Sequence, residues 1–125
     1  MPPILLVMLG GAFGSAARYL TGKFALAWLG PNYPWGTLAV NLIGGLLMGA
    51  LTGILAKHAP GNTQWWPLLG VGVLGGFTTF SSFSLDLIHM LERGEWGMGL
   101  GYILASVVGA ALALFAGLSF ARGFA

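Results

Sequence analysis

The sequence predicts an all-α membrane protein of four transmembrane helices, and three observations carry that prediction. Only 6% of the residues are charged while 57% are hydrophobic, too few polar groups to cover a soluble domain of 125 residues. The apolar residues fall into four runs, each long enough for the ~20 residues that cross a hydrocarbon core. Trp28, Trp35, Trp65, Trp66 and Trp96 stand at the ends of those runs, where amphipathic rings prefer the headgroup level.

The first run covers residues 4–29 and contains only Arg18 and Lys23 as charges. Its Ser15-Ala16-Ala17 has the small residues of a leader-peptide cleavage site, but no basic residue precedes the apolar stretch, so a retained helix is expected. The second run, 35–56, and the fourth, 98–120, carry no charge, and the third spans 66–91. The connections hold turn formers: Pro31, Asn32 and Pro34, then Pro60, Gly61 and Asn62, then Glu92, Arg93 and Gly94. Residues 1–125 thus read as one membrane domain. Cysteine is absent, which excludes disulfides and thiolate ligands. The cations Arg18, Lys23, Lys57, Arg93 and Arg122 flank apolar runs instead of forming a basic face, so the partner is a lipid bilayer and no nucleic acid is expected.

Four spans put Lys57 and Arg122 on one side of the membrane and Arg93 on the other, with Lys23 and Arg18 approaching Arg93's side from the end of the first run. The positive-inside rule selects neither orientation from so even a distribution. Either one marginal charge decides, or the chain inserts both ways and pairs with itself antiparallel. Gly45, Gly49 and Gly53 recur every fourth residue in the second run, as do Gly101, Ala105, Gly109, Ala113 and Gly117 in the fourth. Such stripes let helix backbones approach closely, and leave open whether the partner lies in the same chain or in a second copy. Because side chains fill the middle of a four-helix bundle, any pore is expected to need more than one copy.

Polar groups in hydrocarbon are costly. Serine and threonine hydroxyls can bond back to their own helix, so Thr78, Thr79, Ser81, Ser82, Ser84 and Ser106 taken singly read as structural. Asn41 cannot satisfy its amide on its own helix and is either helix–helix glue or a ligand group whose NH2 suits a desolvated anion. Gly75-Gly76 followed by Thr78-Thr79 predicts an interruption near the centre of the third span. Irregular backbone at that depth must be buried in protein or line a cavity, so the alternatives are a packed kink and a carbonyl cage for a small cation. Phe80 and Phe83, three apart, share a helical face beside hydroxyls, and ring edges are electropositive enough to support a small anion. Phe77 is expected to face elsewhere.

The stretches "GGAFGSAARY" (residues 10–19), "PWGTLAVNLIGG" (34–45) and "GGFTTFSSFSLD" (75–86), in this length and order, resemble the Fluc (CrcB-type) fluoride channels over essentially the whole chain. That resemblance implies an antiparallel, dual-topology homodimer with two pores in the plasma membrane, exporting fluoride passively. It implies that Asn41 hydrogen-bonds fluoride and that the ring edges of Phe80 and Phe83 line the pores. Thr79, Ser82, Tyr102 and Ser106 resemble a polar track, and Arg18 resembles an arginine near the aqueous vestibule. The carbonyls of Gly75 and Thr78 are similar to those holding a structural sodium ion (Na+) at the dimer centre. Asp86, where relatives carry glutamate, and Ala110, where serine is common, depart from the pattern.

Other functions fit less well. A dual-topology drug/proton antiporter needs an acid in the first span, which has none. An enzyme is not expected, since His58 and His89 lie near span ends without metal-ligand spacing. A purely structural membrane subunit is the remaining alternative. Under antiparallel pairing, a C-terminal tag should be labelled from both faces of the membrane, and two added C-terminal lysines should bias its orientation. Labelling from one face only would identify a single topology.

Overall fold

A computed structural model describes residues 1–61 and 64–124; Asn62, assigned above to the second connection, lies outside the described residues. The elements are α1 (Pro3–Leu29), α2 (Trp35–His58), a π-helix π1 (Trp66–Leu74), α3 (Gly75–Phe77), α4 (Ser81–Glu92) and α5 (Trp96–Phe124). Four spans result: Pro3–Leu29, Trp35–His58, Trp66–Glu92 and Trp96–Gly123, each apolar enough to cross a membrane. The last helix starts before residue 98 and runs beyond 120 because no proline interrupts it. Its only late charge, Arg122, has a stem long enough to carry the guanidinium to the interface.

The helix ends follow local chemistry. Proline occupies the first turn of α1, where the missing amide is not needed. Gly30 closes that helix at φ 83° with its N–H donating to Leu26 O, and Gly94, at φ 78°, donates to Leu91 O at 3.0 Å after α4. Both need the left-handed conformation that glycine adopts at little cost.

Two helix pairs make the body. α2 packs along α5, and α1 packs along π1 and α3. Backbones come into contact in both: a Cβ added at Gly49 would fall on Leu114 O, one at Gly117 on Leu46 O, and one at Gly14 on Val73 O. The glycine stripe of α2 is therefore filled from within the chain, by α5. The outer surface is the inverse of a soluble protein's. Phe13, Phe24, Phe115 and Leu112 are exposed, while the buried apolar core comprises Ala25, Val40, Leu74, Phe83, Met90, Tyr102 and Ala121. In lipid such exposure carries no hydrophobic penalty, and close packing takes over the role of burial.

The third span departs from one regular helix. π1 was not foreseen; Gly70 and Gly72 are buried in it, and the Gly75 amide reaches back to Gly70 O. Gly75 is itself helical (φ −62°, ψ −38°), so within the Gly75–Thr79 stretch where an interruption was expected, the irregularity belongs to the threonines and not to the glycines. The helix lapses at residues 78–80, where Thr78 is extended (φ −84°, ψ 157°), and resumes at Ser81. Both the N–H and the Oγ1 of Thr78 donate to Leu74 O, at 3.0 and 2.9 Å.

Alanine at Gly49 or Gly117 must push α2 and α5 apart. Thermal unfolding of the purified protein in detergent should show a loss of about 1–3 kcal/mol for either. Gly97→Ala, at an open position in the first turn of α5, should be neutral or slightly stabilising.

Candidate functional site

The site is built around residues 78–80. Asn41, on α2, grips the main chain of Thr79 from both sides: its Nδ2 donates to Thr79 O at 2.9 Å and its Oδ1 accepts from Thr79 N–H at 2.8 Å. Of the two roles open to this amide, helix–helix glue is the one seen, and a second N–H remains beyond the bond to Thr79. Thr79 Oγ1 accepts from Ser82 N–H at 3.1 Å and so caps the first turn of α4. On the opposite side Arg18 Nε donates to Gly76 O at 3.0 Å.

These bonds decide which carbonyls keep a helical partner. In a continuous helix the carbonyls of Gly75 and Thr78 would accept from the amides of Thr79 and Ser82. Those two amides are instead engaged by Asn41 Oδ1 and Thr79 Oγ1. Two carbonyls are thereby withdrawn from the helical ladder, one of them on a residue, Gly75, that is exposed on the protomer surface.

Two clefts meet at Thr79. One, of about 410 Å³, brings together Asn41, Thr79, Phe80, Phe83 and Ser106, with Thr78 and Ala110 also in its wall. The other, also about 410 Å³, is lined by Arg18, Lys23, Thr37, Thr79 and Ser82. Phe80 is 76% exposed and Phe83 only 6%, although their rings touch at 5.4 Å between centroids. Phe77 is not among the residues lining the first cleft, and its ring lies against Gly44 on α2. Ser106 Oγ is buried with no hydrogen-bond partner among the described residues, a costly state for a hydroxyl in a protein interior.

Tyr102 lines neither cleft. It is fully buried, its OH donates to Asp86 Oδ2 at 3.1 Å, and its ring lies between Phe83 (5.0 Å) and Tyr33 (5.6 Å). With Tyr33 against Trp35 at 4.6 Å, an aromatic series runs from Phe80 to the first loop. Sequence reasoning missed Tyr33 and this series, because nothing in "PNYPW" announces a ring packed against a helix 69 positions later. No group of His, Cys, Asp or Glu suited to a metal occurs among the described residues.

Four apolar spans and an outward apolar surface define a multi-pass membrane protein. The chain belongs to the CrcB family: residues 5–118 match the model described as CrcB-like protein, Camphor Resistance (CrcB). It is 54% identical to the fluoride-specific ion channel FluC of Phenylobacterium zucineum, over 98% of this chain and 97% of the relative. It is 53% identical to the protein of the same name in Caulobacter vibrioides, with the same shares covered, and 50% identical to that of Agrobacterium fabrum, over 95% of each chain.

Replacing Asn41 with Ala strands the N–H and C=O of Thr79. Asn41→Asp keeps the acceptor but sets a carboxylate against Thr79 O. Both variants should lose about 2 kcal/mol or more of stability, and the Thr79 amide should exchange with solvent deuterium faster than in the wild type.

Proposed function

We propose that this protein is a fluoride-selective channel that lets fluoride leave the cell passively and works as an antiparallel homodimer with two pores. The observation that carries the reading is the cleft in which Asn41, Thr79, Phe80, Phe83 and Ser106 meet, in a chain half identical to proteins named fluoride-specific channels. Fluoride is small and strongly hydrated, so a pore must replace its water with donors and still release it. The cleft offers donors of graded, modest strength: the second Asn41 N–H, the Thr79 and Ser106 hydroxyls, and aromatic ring edges. No cationic side chain lines it; a lysine or arginine there would bind the anion too firmly to let it pass.

Ser106 supports this reading most directly. A buried hydroxyl without a protein partner is destabilising unless something else takes its hydrogen bond, and a passing anion is a natural acceptor. The second cleft, which Arg18 and Lys23 line, is the vestibule in this reading, with the exposed ammonium of Lys23 placed to gather anions. Tyr102 takes a different part from the other track residues. Its OH is occupied by Asp86, so it contributes through its ring, which backs Phe83.

A sodium ion is compatible with the chain's own groups. The carbonyls of Gly75 and Thr78 would hold it, since their helical donors are engaged elsewhere and freed carbonyls at membrane depth call for donors or a cation. A cation held there would supply positive charge to offset the dipoles of the freed carbonyls.

Purified protein in liposomes should pass fluoride and exclude chloride without a proton gradient. Phe80→Ile should leave the fold intact, since the side chain is largely exposed in the protomer, and reduce fluoride efflux at least about tenfold, a factor equivalent to ~1.4 kcal/mol. Chloride passage at a comparable rate, or wild-type efflux in Phe80→Ile, would contradict this assignment.

A further inference from the structure

Arg18 is hydrogen-bonded to the third span just before its irregular part, and two roles compete for it. A charge facing the second cleft would concentrate anions by its field. A donor fastened to the main chain would hold that main chain in place. The geometry favours the second. Arg18 is half-buried, not solvent-exposed, and its Nε, the guanidinium nitrogen nearest the backbone, donates to Gly76 O across 58 positions of sequence. In a continuous helix Gly76 O would accept from the amide of Phe80, but Phe80 lies in the non-helical segment. Backbones also meet at this point, because a Cβ at Gly76 would lie 2.8 Å from Gly11 O. A lipid-facing carbonyl there would have no water to turn to.

We propose that Arg18 is a positioning residue, whose guanidinium takes the place of the missing Phe80 amide and ties α1 to α3 immediately before the 78–80 segment. Asn41 holds that segment from α2 through Thr79, and Arg18 holds it from α1 through Gly76. With both ties in place the carbonyls of Gly75 and Thr78 keep their orientation and Thr79 stays at the junction of the two clefts. Arginine suits this task better than lysine. Its fixed, planar fork can donate through Nε while its outer N–H groups stay in the cleft beside Lys23, whereas an ammonium has its donors only at the tip. The consequence for permeation rests on the channel reading above; the tie itself does not.

The experiment compares wild type, Arg18→Lys and Arg18→Gln by two readouts: deuterium exchange of the purified protein in detergent, and fluoride efflux from liposomes at about 0.1 M and 1 M salt, where screening lengths are ~10 and ~3 Å. Both variants should raise exchange at the amides of Thr79 and Ser82 about tenfold or more, with exchange along α2 and α5 unchanged. Efflux should fall in both, by the same factor at either salt concentration. Wild-type exchange and efflux in Arg18→Lys, or an Arg18→Gln defect that vanishes at 1 M salt, would overturn the proposal in favour of a field effect. If Arg18→Gln does not yield folded protein, Arg18→Lys decides alone. Absence of fluoride efflux in the wild type would refute the channel reading, and the exchange comparison would still decide the role of Arg18.

Discussion

One pair of hydrogen bonds, between the Asn41 amide and the main chain of Thr79, is the contact on which the rest of the structure depends. Hydrocarbon offers no water, so each backbone group that leaves a helix must find a partner inside the protein or raise the free energy by several kcal/mol. The carboxamide of asparagine presents a donor and an acceptor on separate atoms of one short, planar group, and it reproduces what a neighbouring strand would offer a peptide unit. With Thr79 satisfied in this way, its hydroxyl is free to cap α4, and the irregular segment exists without an unpartnered peptide at Thr79.

The consequence is geometric. Because α2 and α5 are locked by backbone contact at Gly49 and Gly117, Asn41 is carried on a fixed support. The start of α4 inherits that position through Thr79, and Phe83 is set against Tyr102, itself anchored by Asp86. The two clefts are therefore walls of one arrangement, with Thr79 common to both.

How far this could be read from sequence depends on the range of the interaction. Hydropathy is local, so the four spans were legible and differ from the observed helices only near their ends. Asn41 was legible as a problem, since an amide cannot be satisfied on its own helix, but its partner, a peptide group 38 residues away, has no side-chain signature. Tyr102 shows the opposite case. Its hydroxyl fits a polar track by resemblance, yet the short turn after α4 brings Asp86 beneath it, and that turn's path is not written in the composition. The glycine stripes announced close packing without naming the partner. The π-helical turns of Trp66–Leu74 had only Gly70 and Gly72 as a sign, and glycine marks many other things.

The pairing of α2 with α5 also orders events in time. A ribosome delivers the helices in sequence, and each can enter the bilayer as an independent unit before it packs. α1 finds its partner once the third span emerges. α2 must wait for α5, which follows the whole third span, so its glycine face stays unfilled while that span is made. Docking of α5 is thus the step that closes the face of α2, and a chain stopped short of it would leave in the membrane a helix with a ready-made groove and nothing to fill it.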